Sequence, residues 1–176
     1  MSCWHEPATE KQGIKKDVER ALIQAGFLKN GRDKFFKKIN AETEFFVYPS
    51  IGSTRTHVRL NPIAGIENLT LKTRLQSSEH ADIDPRACHL LLGSLEGVRD
   101  LWGGTSTIYI EKGGPSTDSI RLLLRALNDY ALPLLEKYNN KESLIDLFTR
   151  MSESWRNDPH LIVFDARIKL LALIDH

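Results

Sequence analysis

The chain has 176 residues, of which 41% are hydrophobic and 27% are charged, and its formal net charge at pH 7 is +1. This composition excludes a disordered chain, and the length allows a hydrophobic core without cross-links. The two cysteines are too few for a disulfide scaffold, and no apolar run approaches the ~20 residues that span a bilayer. We therefore expect a single domain over residues 1–176, located in the cytoplasm with no membrane partner.

The positive charge is concentrated near the N-terminus. Residues 11–38 contain nine lysines and arginines against three acidic residues, an excess of six positive charges. Such an asymmetry can indicate a nucleic-acid or acidic partner. A solvated helix surface is the commoner explanation, so both interpretations stay open.

The first predicted element is a helix over residues 9–25. Thr9 followed by Gln12 is a capping-box pattern, and Gly26 suits the left-handed position after a helix. The residues at helical spacing between these signals form an apolar stripe that should face the core. The stripe consists of Ile14, Val18, Leu22 and Ile23.

Two strands are predicted next. Asn30-Gly31 is a tight-turn signal before the strand "DKFFKKI" (33–39), and "NAET" separates that strand from "EFFVYPSI" (44–51). The apolar run from Phe45 to Tyr48 does not alternate with polar residues. It therefore predicts a strand that is covered on both faces.

A period-two pattern dominates residues 56–75. Apolar and polar residues alternate in "THVRL" (56–60) and again in "LTLKTRL" (69–75), which predicts two neighbouring strands joined by the turn-rich "NPIAGIEN". One face would enter the core. The opposite face and its edge would carry no acidic residue, and five of its positions are basic or histidine: Arg55, His57, Arg59, Lys72 and Arg74.

A surface selected only for solubility mixes charge signs. A face without acidic residues therefore predicts a binding site for an anionic partner, and we predict that these five residues contact it. Two alternatives stay open. The face could simply meet water, as is common for antiparallel sheets, or acidic residues of a helix could cover it.

The C-terminal half reads as mainly helical. Residues 76–104 fit a loop followed by a helix or a buried strand, and "TSTIYIEK" (105–112) predicts a strand. Helices follow over 117–138, with Pro133 interrupting the first near Ala131, and over 141–154. The apolar segment 160–174 predicts a buried helix or a homodimer contact. The predicted fold class is α+β, a mainly antiparallel sheet of four to six strands with the N-terminal helix and the C-terminal helices packed on it.

No residue pattern argues for catalysis. His80, Asp82 and Asp84 could hold a divalent metal if their loop were extended, and Cys88 beside His89 could form a nucleophile and base, but both patterns are short and recur by chance. The "GGPST" sequence at 113–117 lacks the lysine ending of a phosphate-binding loop. We predict a non-enzymatic protein with no catalytic residues, no metal site and no cofactor.

One resemblance extends this interpretation. The order "ERALIQAGFLKNGRDKFFKKINAETEFFVYPS", then "THVRLNPIAG", and later "ALPLLEKYNNKESLIDLF" resembles small bacterial α+β domains of uncharacterised function. The matching positions are Gly26-Phe27, Phe35-Phe36, Phe45 to Val47 and Leu60-Asn61. Domains of this layout include immunity proteins that neutralise contact-delivered toxins.

The resemblance implies a toxin inhibitor of contact-dependent growth inhibition that acts by protein–protein interaction, with a cognate toxin domain as its partner. The first alternative is a nucleic-acid-binding module that uses the basic N-terminal region. The second is a metal-dependent hydrolase.

Overall fold

The structure is a computed structural model, and it describes residues 7–77, 89–92, 107–154, 161–163 and 165–174. The strands, numbered in chain order, are β1 Leu28–Asn30, β2 Lys34–Lys38, β3 Thr43–Tyr48, β4 Ile51–Ser53, β5 His57–Leu60, β6 Ile63–Asn68, β7 His89–Leu92, β8 Ile108–Glu111 and β9 Leu161–Val163. The α-helices are α1 Pro7–Gln24, α2 Leu69–Ser77, α3 Thr117–Ala126, α4 Leu132–Leu135, α5 Lys141–Ser154 and α6 Ala166–Leu173.

Two antiparallel sheets organise these elements. The larger sheet has six strands in the order β1-β2-β3-β6-β7-β9, and the smaller has three in the order β4-β5-β8. Every described strand pair is antiparallel. The α+β prediction with an N-terminal helix and a C-terminal group of helices is confirmed, although the strands divide between two sheets.

The centre of the larger sheet forms the core. In β3, Phe45, Phe46 and Val47 are all fully buried, which confirms that this strand is covered on both faces. Phe45 pairs in register with Ile66 of β6, and Ile66 pairs with Leu90 of β7. This row packs with the apolar stripes of the helices, including Ile14, Val18 and Leu22 of α1.

The predicted connection "NPIAGIEN" is instead largely the central strand β6, so the loop prediction is wrong. Gly65, which belongs to this turn-rich stretch, lies in the middle of the strand. A Cβ atom at this position would come within 2.6 Å of the Leu90 carbonyl oxygen and 2.7 Å of Phe46 Cζ. The glycine therefore permits close packing of β6 between its neighbours rather than a turn.

The predicted strand over residues 69–75 is also wrong, because residues 69–77 form helix α2. The Asn68 side-chain oxygen accepts a hydrogen bond from the Leu71 backbone N–H at 2.9 Å, which is the contact of a helix N-cap. Leu71 and Leu75 are both buried. Residues four apart share a face in a helix as well as in a strand, so the alternating leucines satisfied either periodicity.

The predicted helices 117–138 and 141–154 are confirmed, including the interruption. A π-helical turn, Leu127–Ala131, lies between α3 and α4, and the Leu132 N–H bonds to the Leu127 carbonyl oxygen. Pro133 cannot donate a backbone hydrogen bond, so the regular helical pattern changes just before it.

The predictions for the two ends of the chain need correction. Helix α1 begins at Pro7, so Thr9 lies inside the helix rather than at its cap. At the other end, residues 160–174 are not one buried helix, because residues 161–163 form β9 and α6 starts at Ala166. Asp165 separates them in a left-handed conformation and accepts a hydrogen bond from Ile168 N–H. Leu171 of α6 is 51% exposed.

None of the helices in the described ranges is long and apolar enough to cross a membrane. Residues 89–92, within the segment whose structure was left open, form strand β7.

The close packing at Gly65 gives a stability prediction. Replacing Gly65 with alanine should lower the free energy of unfolding by about 3 kcal/mol, because the new methyl group must displace backbone as well as side-chain atoms. Urea denaturation followed by circular dichroism measures this change.

Gly13 provides the matched control, since nothing lies within 4 Å of a Cβ atom placed there and the residue is in helix α1. Gly13→Ala should raise the stability by about 0.5–1 kcal/mol. A Gly65→Ala protein as stable as the parent would contradict the assigned register of β3, β6 and β7.

Candidate functional site

The five residues predicted to form one basic face lie on two different elements. Arg55 precedes β5, and His57 and Arg59 belong to that strand, whereas the other two are on helix α2. Lys72 Nζ lies 3.1 Å from Glu67 Oε1, and Arg74 donates to the Ala172 carbonyl oxygen at 3.2 Å.

The prediction that these five residues share one face of a sheet is wrong, because residues 69–77 form helix α2 and not a strand beside β5. We still predict that each of the five residues contacts a partner.

The outward side of the smaller sheet forms the first candidate surface, which we call the β5 face: His57, Arg59, Tyr109 and Glu111. Arg59 lies opposite Tyr109 in register, and His57 lies opposite Glu111. The His57 and Tyr109 rings meet edge to face, with centroids 6.0 Å apart. The inward residues of the same strands are buried in the core: Val58, Leu60, Ile108 and Ile110.

A glycine on the neighbouring strand makes room for Arg59. Gly52 of β4 is its register partner, and the guanidinium lies 3.4 Å from the position that a Cβ atom would occupy on Gly52. The guanidinium therefore lies close along the sheet. Among the residues that the structure describes, no carboxylate forms an ion pair with Arg59.

Sequence reasoning missed two members of this face, Tyr109 and Glu111. Their outward position follows from the alternation in "IYIE", whose other two residues are buried. The pairing of β8 with β5 could not be read from the sequence, because about fifty residues separate the two strands. The structure also adds an acidic residue to a face that was predicted to have none.

A buried carboxylate organises the second candidate site, the Glu67 cluster: Lys34, Glu67, Lys72 and His89. Glu67 is only 2% exposed. Its Oε2 lies 3.0 Å from Lys34 Nζ, and its Oε1 lies 3.1 Å from Lys72 Nζ and 3.2 Å from His89 Nε2.

Local structure explains how the four residues meet. His89 of β7 is the register partner of Glu67, and α2 starts two residues after Glu67 and brings Lys72 back over the strand end. Lys34 comes from β2 and passes over the Phe46 ring, with its Nζ 5.0 Å from the ring centroid. The His89 ring packs on Phe46 from another side, with centroids 4.6 Å apart.

The electrostatics of the cluster hold Glu67 in its charged form. Burial by itself would raise the pKa of Glu67, but the hydrogen bonds from His89 and Lys34, together with the charge of Lys34 and the contact from Lys72, bring the pKa well below its usual range. A general acid or base works best with a pKa near the working pH. Glu67 is therefore suited to a fixed charge rather than to proton transfer.

The basic N-terminal region is partly neutralised. Each of its three acidic residues pairs with a cation of the same region: Lys15 with Asp33 at 2.6 Å, Lys29 with Glu19 at 2.9 Å and Arg20 with Asp17 at 3.5 Å. Surface pairs of this kind contribute little to stability. They do reduce the local positive charge that a polyanion would meet.

The predicted metal residues His80, Asp82 and Asp84 lie outside the described residues, as does Cys88. Within the described ranges no group of three or more histidine, cysteine or acidic residues is arranged to hold a metal ion. His89, the neighbour of Cys88, is instead a partner of Glu67.

No protein-family model, curated protein or solved structure matches this chain. Function is therefore inferred from the geometry of the described residues and from the resemblance stated above.

The Glu67 cluster predicts a specific acid sensitivity. Because the folded protein keeps Glu67 ionised where the unfolded chain would bind a proton, its stabilising contribution is present above the ordinary glutamate pKa of about 4.3 and is lost as the pH falls below that value. Glu67→Gln should lower the free energy of unfolding at pH 7 by about 3 kcal/mol, since it leaves partly buried cations without their counter-charge. It should also flatten the stability curve between about pH 5 and pH 3.

Glu44 is the control residue, because it lies directly opposite Glu67 in register but is only half-buried. Glu44→Gln should change the stability at pH 7 by less than about 0.5 kcal/mol and leave the acid sensitivity intact. Denaturant titrations at several pH values compare the three proteins. Equal acid sensitivity in the parent and the Glu67→Gln protein would contradict the lowered pKa.

Proposed function

We propose that this protein is a non-enzymatic binding module that sequesters a partner protein through the β5 face, and that the partner is a cognate bacterial toxin domain. The observation that carries the proposal is the exposed pair of Arg59 and Tyr109 on a rigid sheet. Arginine and tyrosine are the residue types most enriched at the energetic centres of protein interfaces. Tyr109 is 47% exposed, and Arg59 forms no ion pair with a described residue.

The β5 face lies on strands whose inward residues are packed in the core, so it is a preformed surface for recognition. Val58 and Leu60 anchor β5 in the core, and Ile108 and Ile110 anchor β8, so the outward side chains are held on a packed scaffold. Binding to such a surface loses little conformational entropy, because the backbone is already ordered. The free guanidinium selects a partner with a carboxylate at the matching position, because the Arg–carboxylate pair is bidentate and directional.

The assignment to toxin immunity rests on the resemblance to immunity domains, which supplies the kind of partner. The alternative with separate support is nucleic-acid binding. After the internal ion pairs are formed, the N-terminal region keeps five cations without a described ion pair: Lys11, Lys16, Arg32, Lys37 and Lys38. Salt distinguishes the two functions, because nucleic-acid binding weakens steeply with ionic strength whereas a packed protein interface retains part of its affinity.

A growth assay tests the toxin partner. The first step is to look for a toxin gene directly upstream of the gene for this chain, and its absence would count against the immunity function. The domain encoded by such a gene is then expressed, and co-expression of this chain should restore growth and give a stable complex on gel filtration. Continued killing in the presence of well-expressed, folded protein would reject the immunity function. Binding to nucleic acid with a steep salt dependence would favour the alternative.

The surface itself is tested by charge reversal and truncation. In that complex, Arg59→Glu should weaken binding by about 30-fold or more, and Tyr109→Ala by a similar factor, because both changes remove central contact groups. Isothermal titration calorimetry or surface plasmon resonance measures the change.

Arg121→Glu is the control, since Arg121 is also exposed but lies on the outward side of α3, where it pairs with Asp118 at 3.1 Å. The affinity of the Arg121→Glu protein for the partner should stay within about twofold of that of the parent protein. If Arg59→Glu and Tyr109→Ala bind as well as Arg121→Glu, the partner uses another surface.

A further inference from the structure

An open depression of about 440 Å³ lies over the Glu67 cluster, away from the β5 face. Its volume lies within the range of small-molecule sites in proteins. Its lining includes amide, guanidinium, ammonium and imidazole groups from β1, the turn between β1 and β2, β2, α2 and β7. These residues are Asn30, Arg32, Lys34, Lys72, Gln76 and His89.

The charge of the depression is positive although two acidic residues line it. Asp33 is bound by Lys15 at 2.6 Å, and that contact holds the pKa of Asp33 below its usual range. Glu67 has both carboxylate oxygens in contact with basic groups. The positive charge of Arg32, which forms no ion pair among the described residues, is therefore available to the depression.

The principal cation of the site is held in place. Lys34 is anchored at one end by Glu67, its Nζ lies over the Phe46 ring, and its side chain is only 14% exposed. An ammonium group has three hydrogen-bond donors, and the contact with Glu67 uses one of them. Lys34 thus offers donors to a ligand while its stem is already ordered, which lowers the entropy cost of binding.

Burial of the cluster is difficult to explain by stability alone. Burying the Glu67 carboxylate costs desolvation free energy. Replacing a buried ion pair by apolar residues of similar volume often leaves the stability of a protein unchanged or raises it. The row beside it in the same sheet is apolar, with Phe36, Phe46, Gly65 and Leu91 in register. A carboxylate that fixes two ammonium groups under an open depression is what an anion site requires.

We propose that this depression binds the oxyanion of a small molecule, a phosphate or a carboxylate group, between the Arg32 guanidinium and the Lys34 ammonium group. Glu67 is the positioning residue, since it orients the cations without touching the anion. Asn30 and Gln76 supply neutral hydrogen-bonding groups at the rim, and Tyr48, which also lines the depression, offers a ring for the organic part of the ligand.

The test uses the whole chain and two simple probes. Inorganic phosphate and, separately, acetate are titrated into ¹⁵N-labelled protein at constant ionic strength maintained with chloride, and amide shifts are followed by NMR. We expect saturable shifts confined to the residues around the depression, with a dissociation constant on the order of 1 mM for at least one probe. Saturation by phosphate alone identifies a phosphorylated ligand, and saturation by acetate alone identifies a carboxylate ligand.

Two variants locate the site. Arg32→Gln removes a rim cation that has no ion pair among the described residues, so the fold should be unaffected, and the affinity should fall about tenfold. Lys34→Met should abolish saturation. If that variant fails to fold because Glu67 loses a partner, Arg32→Gln decides the outcome.

Lys38→Gln is the matched control, because Lys38 is an exposed cation on the same strand as Lys34 and does not line the depression. Its affinity for the probe should equal that of the parent. The proposal is overturned if both probes give only linear, scattered shifts, or if Arg32→Gln and Lys38→Gln bind the probe equally well.

Discussion

The ion cluster around Glu67 is the interaction on which the arrangement of the larger sheet most depends. One buried carboxylate contacts basic groups from three separate elements: Lys34 of β2, Lys72 of α2 and His89 of β7. The cluster connects strands that are not neighbours and secures the helix that leaves β6. Because the Glu67 carboxylate is buried, the loss of any of these partners would leave its charge poorly compensated and would cost stability.

The same residues connect to the C-terminal elements. The His89 carbonyl oxygen accepts a hydrogen bond at 2.8 Å from Lys169 of α6, which is fully buried and whose Nζ lies 5.5 Å from the Phe148 ring centroid. Helix α6 also packs against α2 and α5. A line of polar contacts therefore runs from β2 through Glu67 and His89 to the last helix, beside a core that is mainly apolar. Because buried polar groups require partners with defined geometry, such a line restricts the elements to one arrangement.

Positive charge has different physical roles at the two surfaces. On the β5 face, Arg59 is exposed over Gly52 and has no described counter-charge, so it can pair with a group of another protein. In the depression, Lys34 is held against Glu67 and is mostly shielded from water. An exposed charge is screened by salt until a partner covers it, whereas a shielded and oriented charge can bind a small group with directional hydrogen bonds from the start.

The sequence by itself determined the elements whose signals are local. The α1 stripe as far as Leu22, the apolar run from Phe45 to Tyr48 in β3 and the limits of the helical region from 117 to 154 follow from periodicity, turn residues and the proline at 133. The structure has them at nearly the predicted positions, whereas Ile23, the last residue of the predicted stripe, is 53% exposed. Only the tertiary structure decided the cases where a local pattern suits two structures. Leucines at 71 and 75 fit a strand or a helix, and the Asn68 cap together with packing selected the helix. The glycine at 65 fits a turn or a crowded strand, and contact with Leu90 and Phe46 selected the strand.

The candidate sites were likewise decided only by the tertiary structure. Strand pairing between distant segments brings Tyr109 beside Arg59 and Lys34 beside Glu67, and no local pattern encodes that pairing.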